Sequence, residues 1–142
     1  MLVKEIMNTD VKTIGPDATI QEAAKRMDEL NIGCFVVTEN DHMAGIITER
    51  DLLKKVVAKA KDSSRLKVKD VMVKRVIMID PEADVSDAVD VMNQHGIKKL
   101  PVLHGSNLVG IITATDIVNA QPKMIESLSE LFVFKKKHSV AG

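Results

Sequence analysis

Two heptads carry the polar chemistry that recurs in this chain: GIITERD at residues 45–51 and GIITATD at residues 110–116. Gly, Ile, Ile, Thr and Asp repeat in place, while Glu49 and Arg50 give way to Ala114 and Thr115. Thr48 and Thr113 fall where an apolar, strand-like run passes into a helical pattern. A helix N-terminus has unsatisfied N–H groups and a partial positive charge, so it draws phosphate or carboxylate. A threonine hydroxyl there can add a hydrogen bond to an anion. Asp51 and Asp116 follow three residues on, in the first helical turn. A carboxylate accepts two hydrogen bonds, and the vicinal hydroxyls of a ribose supply two donors, a pairing used in dinucleotide sites. Thr, helix end and Asp together suit a ribose phosphate. The same Thr-x-x-Asp is also a plain helix cap, with Asp well placed for the helix dipole. Two features favour binding over a cap alone. The motif recurs at equivalent places in a repeat that otherwise drifts. It also follows Gly45 or Gly110, and a glycine weakens a strand unless a close approach needs room.

Other chemistries find little support. The chain has no G-x-S-x-G elbow, no G-x-x-x-x-G-K-[ST] loop and no G-x-G-x-x-G. Asp51 and Asp116 would form an acid/base pair only by converging, so no catalytic activity and no catalytic residue is expected. His42, His95, His104 and His138 show no metal-ligand spacing, so no metal is expected. Cys34 is the single cysteine and reads as a small buried hydrophobe. With no disulfide to form, the cytoplasm is the expected compartment. The net charge is zero, and Phe35, Phe132 and Phe134 are the only aromatic residues. Both facts argue against nucleic acid, which calls for basic surface or stacking platforms. No apolar run is long enough to span a membrane, and MLVKEIMNTD has no signal-peptide core.

The elements that position the heptads come in two sets. With Gly45 laid on Gly110, the chain falls on itself without a gap: Val3-Lys4 on Val68-Lys69, Met7 on Met72, Pro16 on Pro81, Met27 on Met92 and Val37 on Val102. The repeats run over residues 1–61 and 67–120, with a polar joint, DSSR, between them and a helix and basic tail over 121–142. Each predicts strand, helix, strand, strand, helix. The first strand covers residues 11–14 and ends at Gly15-Pro16. A helix opens on Thr19 and Glu22, a capping-box signature, with Ile20, Ala23, Ala24, Met27 and Leu30 as its buried face. The second copy opens on Asp84 and Asp87, with Val85, Ala88, Val89 and Met92 on that face. Strands follow at 34–37 and 43–47, or 108–112, joined by turns at 39–42 and 104–107. The last helix runs over 49–59 or 114–120. The fold class is α/β (α+β). Each small sheet needs a mate, and the other repeat is the expected one, as a pseudo-twofold pair packed through its sheets with two equivalent clefts.

A glycine–apolar–apolar–Thr-x-x-Asp heptad, doubled in register in a repeat of this length and order, resembles the CBS domain, the module named from cystathionine beta-synthase. Two in tandem resemble a Bateman module, here as a free-standing CBS-domain protein. The resemblance covers residues 3 to about 120. It implies a regulatory sensor of adenosine derivatives (AMP, ADP, ATP, S-adenosylmethionine or NAD-type molecules) that needs no cofactor for chemistry. It also implies a homodimer, a four-CBS disc, reporting to an effector protein. Carried over by position, one cleft would use Asp116 for ribose, Thr113 for phosphate, Val11, Lys12, Ile32, Gly33 and Cys34 around the base, and Lys98 and Lys99 on phosphates. The other would use Asp51 and Thr48, with Val76, Ile77 and Ile97 on the base. Gly33 and Cys34 stand where Lys98 and Lys99 stand in the other copy, so Arg50 would supply the cation there. Read without the resemblance, the two lysines are solvated charges and Arg50 pairs with Glu49 or Glu39. The expectation is two sites alike for ribose and unequal for phosphate.

The tail, QPKMIESLSELFVFKKKHSVAG, offers an alternative. Pro122 suits a helix start. Met124, Ile125, Leu128, Leu131 and Phe132 could form an apolar stripe ahead of the basic cluster Lys135 to Lys137. That would suit a protein–protein adaptor with no or only vestigial nucleotide binding. Packing of this helix on its own module or on a sister protomer is the favoured expectation.

Overall fold

Thr19 and Asp84 cap the two longest helices, as their sequence signatures predict. Thr19 Oγ1 accepts from the Glu22 amide at 3.1 Å, and Asp84 Oδ2 from the Ser86 amide at 2.9 Å. The computed structural model describes residues 1–132. The expected basic cluster Lys135 to Lys137, with Phe134 and His138, lies outside the described residues. In chain order the elements are α1 (Val3–Ile6), β1 (Thr13–Ile14), α2 (Ile20–Leu30), β2 (Cys34–Glu39), β3 (His42–Thr48), α3 (Glu49–Leu52), α4 (Val68–Val71), α5 (Val85–His95), β4 (Lys99–His104), β5 (Asn107–Thr113) and α6 (Ala114–Ala120). Residues 125–132 are also helical. The fold is mixed α+β with small sheets.

The chain divides into two compact units, residues 11–76 and residues 1–10 with 77 onward. These units are out of phase with the repeats read from sequence, 1–61 and 67–120. The segment ahead of each repeat's first strand packs onto the other repeat's elements. In the unit of 11–76, the Val68 amide donates to Ala18 O at 2.8 Å and the Lys69 amide to Pro16 O at 3.0 Å. In the other unit, the Val3 amide donates to Ala83 O at 2.9 Å and the Lys4 amide to Pro81 O at 3.0 Å. An ion pair accompanies each: Lys69–Asp17 at 3.0 Å and Lys4–Glu82 at 2.8 Å. These pairs are exposed and add little. The anchors are Val3 and Val68, both fully buried.

In the unit of 11–76 the sheet order is β1-β2-β3, with β1 parallel and β3 antiparallel to β2. Asn40 and Asp41, both at positive φ, make the two-residue hairpin turn. Phe35, Val37 and Ile47 point into a core closed by Ile20, Met27 and Val68. In the other unit only β4 and β5 form a ladder. The first strand expected there reduces to one parallel bridge, Ile79 to Val102. The cause is Pro101. In the first repeat the Val36 amide donates to Lys12 O at 3.2 Å. Pro101 stands in the place of Val36 and has no N–H to give Ile77.

Two more expectations need correction. Ala24 and Leu30, read as buried, are exposed, while Ile20, Ala23 and Met27 are buried. The helix expected over 49–59 is α-helical only to Leu52 and then widens into a π-helical turn, Leu53–Val57. Leu52 and Val56 are buried, and Leu53 and Val57 stay outside.

The heptad glycines make room for the chain itself. Residue 73 bridges Ile46 through two hydrogen bonds of 2.8 and 3.0 Å, and Asn8 bridges Ile111 through two of 2.8 and 2.9 Å. Each segment covers the exposed edge of a hairpin. A Cβ on Gly45 would lie 2.6 Å from Val73 O, and one on Gly110 would lie 2.6 Å from Met7 Sδ and 3.0 Å from Asn8 O. A thioether can swing aside, but a carbonyl held in a ladder cannot. Gly45→Ala should therefore destabilise by about 1–3 kcal/mol, and Gly110→Ala by less, in urea unfolding.

Asp84 also carries a pH signature. The Ser86 hydroxyl and amide, then the chain's N-terminal ammonium, hold its carboxyl at about 2, below the ordinary 3.8. A depressed acid stabilises the fold above its unfolded pKa, and that contribution fades as pH falls from about 4 toward 2. Ser86→Ala should raise the Asp84 midpoint toward its ordinary value in an NMR titration.

Candidate functional site

Each heptad ends a strand and starts a helix through the same reciprocal cap. In the unit of 11–76, Thr48 closes β3 opposite Cys34. The Asp51 amide donates to Thr48 Oγ1 at 3.2 Å, and Asp51 Oδ2 accepts from the Thr48 amide at 3.0 Å. In the other unit, Thr113 closes β5 opposite Lys99. The Asp116 amide donates to Thr113 Oγ1 at 3.0 Å, and Asp116 Oδ2 accepts from the Thr113 amide at 3.0 Å. The backbone staples a second loop to each junction. The Glu49 amide donates to Gly33 O at 2.9 Å, and the Ala114 amide to Lys98 O at 2.8 Å.

The two caps differ in what they leave over. Thr48 Oγ1 also donates to Asp51 Oδ2 at 3.1 Å, and Lys55 Nζ sits 3.3 Å from Asp51 Oδ1. Both oxygens of Asp51 are thus engaged. Lys55 also donates to Val71 O at 3.0 Å, which fixes the ammonium in place. Asp116 is half-buried, and its Oδ1 has no partner among the described residues. The Thr113 hydroxyl makes no bond to Asp116 Oδ2 of the kind Thr48 makes, so its proton can go elsewhere.

The remaining expected residues are distributed unit by unit. Ile32, Gly33 and Cys34 lie beside Thr48, Arg50 and Asp51, and Lys12 joins them through its carbonyl bond to the Val36 amide. Ile97, Lys98 and Lys99 lie beside Thr113 and Asp116, in the unit that also holds Ile77. The two halves of each expected cleft set therefore belong to different units. Val11 and Val76 are half-buried at the ends of the unit of 11–76. Cys34 is a half-buried free thiol, less buried than its sequence suggested. Arg50 is exposed and makes no ion pair with Glu49 or Glu39 among the described residues. Lys99 is exposed, whereas Lys98 is half-buried with its ammonium 5.0 Å from the centre of the Phe132 ring.

Two of these partners were not foreseen. Lys55 had a legible signal, since it lies four residues after Asp51 on a helix. Phe132 had none, because its place over Lys98 depends on how the C-terminal helix folds back. Among the described residues, no group of three or more His, Cys, Asp or Glu is arranged to hold a metal ion, and no helix is long and apolar enough to cross a membrane.

The heptad geometry is set in a pattern that comparison recognises. The CBS domain family matches residues 3–58 and again residues 68–123. The chain belongs to the CBS domain family. As a CBS pair it is 36% identical over 115 residues to the CBS domain-containing protein YhcV of Bacillus subtilis, covering 81% of each chain. It is 38% identical over 130 residues to an uncharacterised protein of Methanopyrus kandleri, covering 90% of this chain but 66% of that one. The chain thus spans just under two thirds of the latter's length. Among solved structures, a CBS-domain protein of Burkholderia ambifaria superposes with a TM-score of 0.79 at 30% identity, covering 84% of this chain and 93% of that one. CBS pairs of this kind are regulatory modules, not catalytic ones.

Both heptad threonines anchor their caps, so Thr48→Ala and Thr113→Ala should each cost about 0.5–2 kcal/mol. Thr48→Ala should be the larger, because it also removes the hydroxyl's bond to Asp51. Urea midpoints of the two variants measure the difference.

Proposed function

We propose that this CBS pair is a regulatory module sensing an adenosine-containing ligand, with AMP, ADP, ATP and S-adenosylmethionine as candidates, and that the second heptad is its stronger ribose-reading end. The observation that carries the reading is the half-buried Asp116. One carboxylate oxygen serves the cap and the other has no partner among the described residues. A carboxylate oxygen has lone pairs for more than one donor, so Oδ1, with the spare acceptor capacity of Oδ2, suits two vicinal hydroxyls. Thr113 adds a hydroxyl at a helix start, and a cation for a phosphate could come from Lys99, which pairs with Thr113 across the ladder, or from Lys98 just before it.

The first heptad is less ready. A ribose at Asp51 would have to displace Lys55 or share its oxygen. Arg50 remains exposed for a phosphate. The two ends thus differ for ribose as well as for phosphate. Binding regulates only through a difference in ligand affinity between two shapes of the module, and an effector protein would read that difference. The C-terminal helix favours this reading over an adaptor, since Leu128 is fully buried in its own unit.

Calorimetric titration with the four candidates tests the proposal. Asp116→Ala should weaken binding about tenfold or more, the scale of lost hydrogen bonds to a charged group. Asp51→Ala should weaken it less. Absence of binding by all four at millimolar concentration would overturn the reading.

A further inference from the structure

The helix at 125–132 is anchored at its middle and lightly held at its end. Leu128 is fully buried in one cluster with Val89, Met92 and Ile117, and Asn93 Nδ2 donates to Ser127 O at 2.8 Å. Beyond them Leu131 packs half-buried against the same core, and Phe132 is 37% exposed. Toward α6 the packing is open. Ile125, Ser129 and Phe132 face Thr115 and Val118 across a cleft of about 480 Å³. Close-packed elements leave no gap of that size, and segments with few buried contacts open most readily.

One contact ties this helix end to the second heptad. The Lys98 ammonium lies 5.0 Å from the centre of the Phe132 ring. The Lys98 carbonyl accepts from the Ala114 amide at 2.8 Å, so its backbone is fixed at the heptad junction, one residue past Thr113. The side chain is the part free to turn. Lys98 makes no ion pair among the described residues. A ring face leaves most of the ammonium's charge unanswered. A phosphate offers it charge-assisted hydrogen bonds, which are stronger than a part-exposed cation–π contact. An ammonium drawn to a phosphate leaves the ring. In the unit of 11–76, Gly33 stands in the place of Lys98, so this contact has no counterpart there.

We propose that Phe132 and a ligand's phosphate compete for Lys98, so that a phosphorylated nucleoside at the second heptad unlatches the end of the 125–132 helix. The proposal rests on the ligand reading above and deepens it twice. It makes phosphate the group that signals, which sets AMP, ADP and ATP apart from S-adenosylmethionine. It also makes the C-terminal helix the element that carries the signal, since its position is what the occupied and empty states would differ in.

Amide hydrogen exchange of the full chain tests this. Without ligand, Phe132→Leu keeps an apolar side chain and removes the ring. It should speed exchange of the Ser129, Glu130 and Leu131 amides about two- to fivefold, the scale of a lost exposed cation–π contact, and leave the Met92 and Ile117 amides unchanged. Lys98→Met should do the same. In the wild type, each of AMP, ADP and ATP that binds should speed those three amides, whereas adenosine and S-adenosylmethionine should not. In Phe132→Leu the phosphates should add nothing further. Calorimetry should show Phe132→Leu binding AMP about two- to fivefold more tightly, with adenosine unaffected, because no ring competes for the lysine. Bound AMP that leaves the helix's exchange unchanged, or slows it, would overturn the proposal while the ligand reading stood. So would an AMP affinity indifferent to Phe132→Leu, or equal responses to AMP and adenosine. If none of these ligands binds, the ligand reading falls and the competition falls with it.

Discussion

The reciprocal cap between a threonine and the aspartate three residues on is the interaction from which the rest of each unit is hung. It sets where β3 and β5 stop and where α3 and α6 start, because it satisfies two amides that neither strand nor helix can. It orients the carboxylate with one oxygen inward on the strand end, so the other is the oxygen a ligand would meet. It also brings the loop before β2 or β4 against the helix start, through the bonds of Gly33 and Lys98 carbonyls to the first helical amides. Cap and binding site are thus not rival explanations of the motif. The cap positions the atom that binding would use.

Duplication supplied two copies of this junction, and small substitutions around them have separated their chemistry. Lys55 pairs with Asp51, while its counterpart at position 120 is an alanine, and Asp116 has no ion pair among the described residues. Arg50 has become Thr115, and Gly33 has become Lys98. On the helix side, Val89 is covered by the C-terminal helix and Ala24 is open to solvent. Each change is a single residue on a conserved backbone frame within this chain, which is how two near-identical folds come to present different surfaces.

Local chemistry was legible in the sequence and tertiary chemistry was not. The capping signatures at Thr19 and Asp84, the Asn40-Asp41 turn and both heptad junctions were readable because the residues that decide them lie within four positions of one another. The missing first strand of the second repeat was not foreseen, since it depends on a proline, Pro101, lacking an amide that a partner far along the chain would have used. The exchange of the segments ahead of each repeat was hidden for the same reason. Gly45 and Gly110 were seen to need room, but the neighbours that need it, Val73 and Asn8, come from those exchanged segments. Of the candidate site, the threonines and aspartates are read from the heptad itself, and the lysines are candidates only through the family resemblance. Which aspartate oxygen is occupied, and that Lys98 sits over Phe132, depends on packing.

The most direct measurement is an amide NMR titration of the isotope-labelled protein with AMP. If Asp116 reads the ribose, the amides of Thr113, Ala114 and Asp116 shift at lower AMP than those of Thr48, Glu49 and Asp51. Shifts that begin at Thr48 and Asp51, or that leave Asp116 untouched while ligand binds, would contradict that assignment.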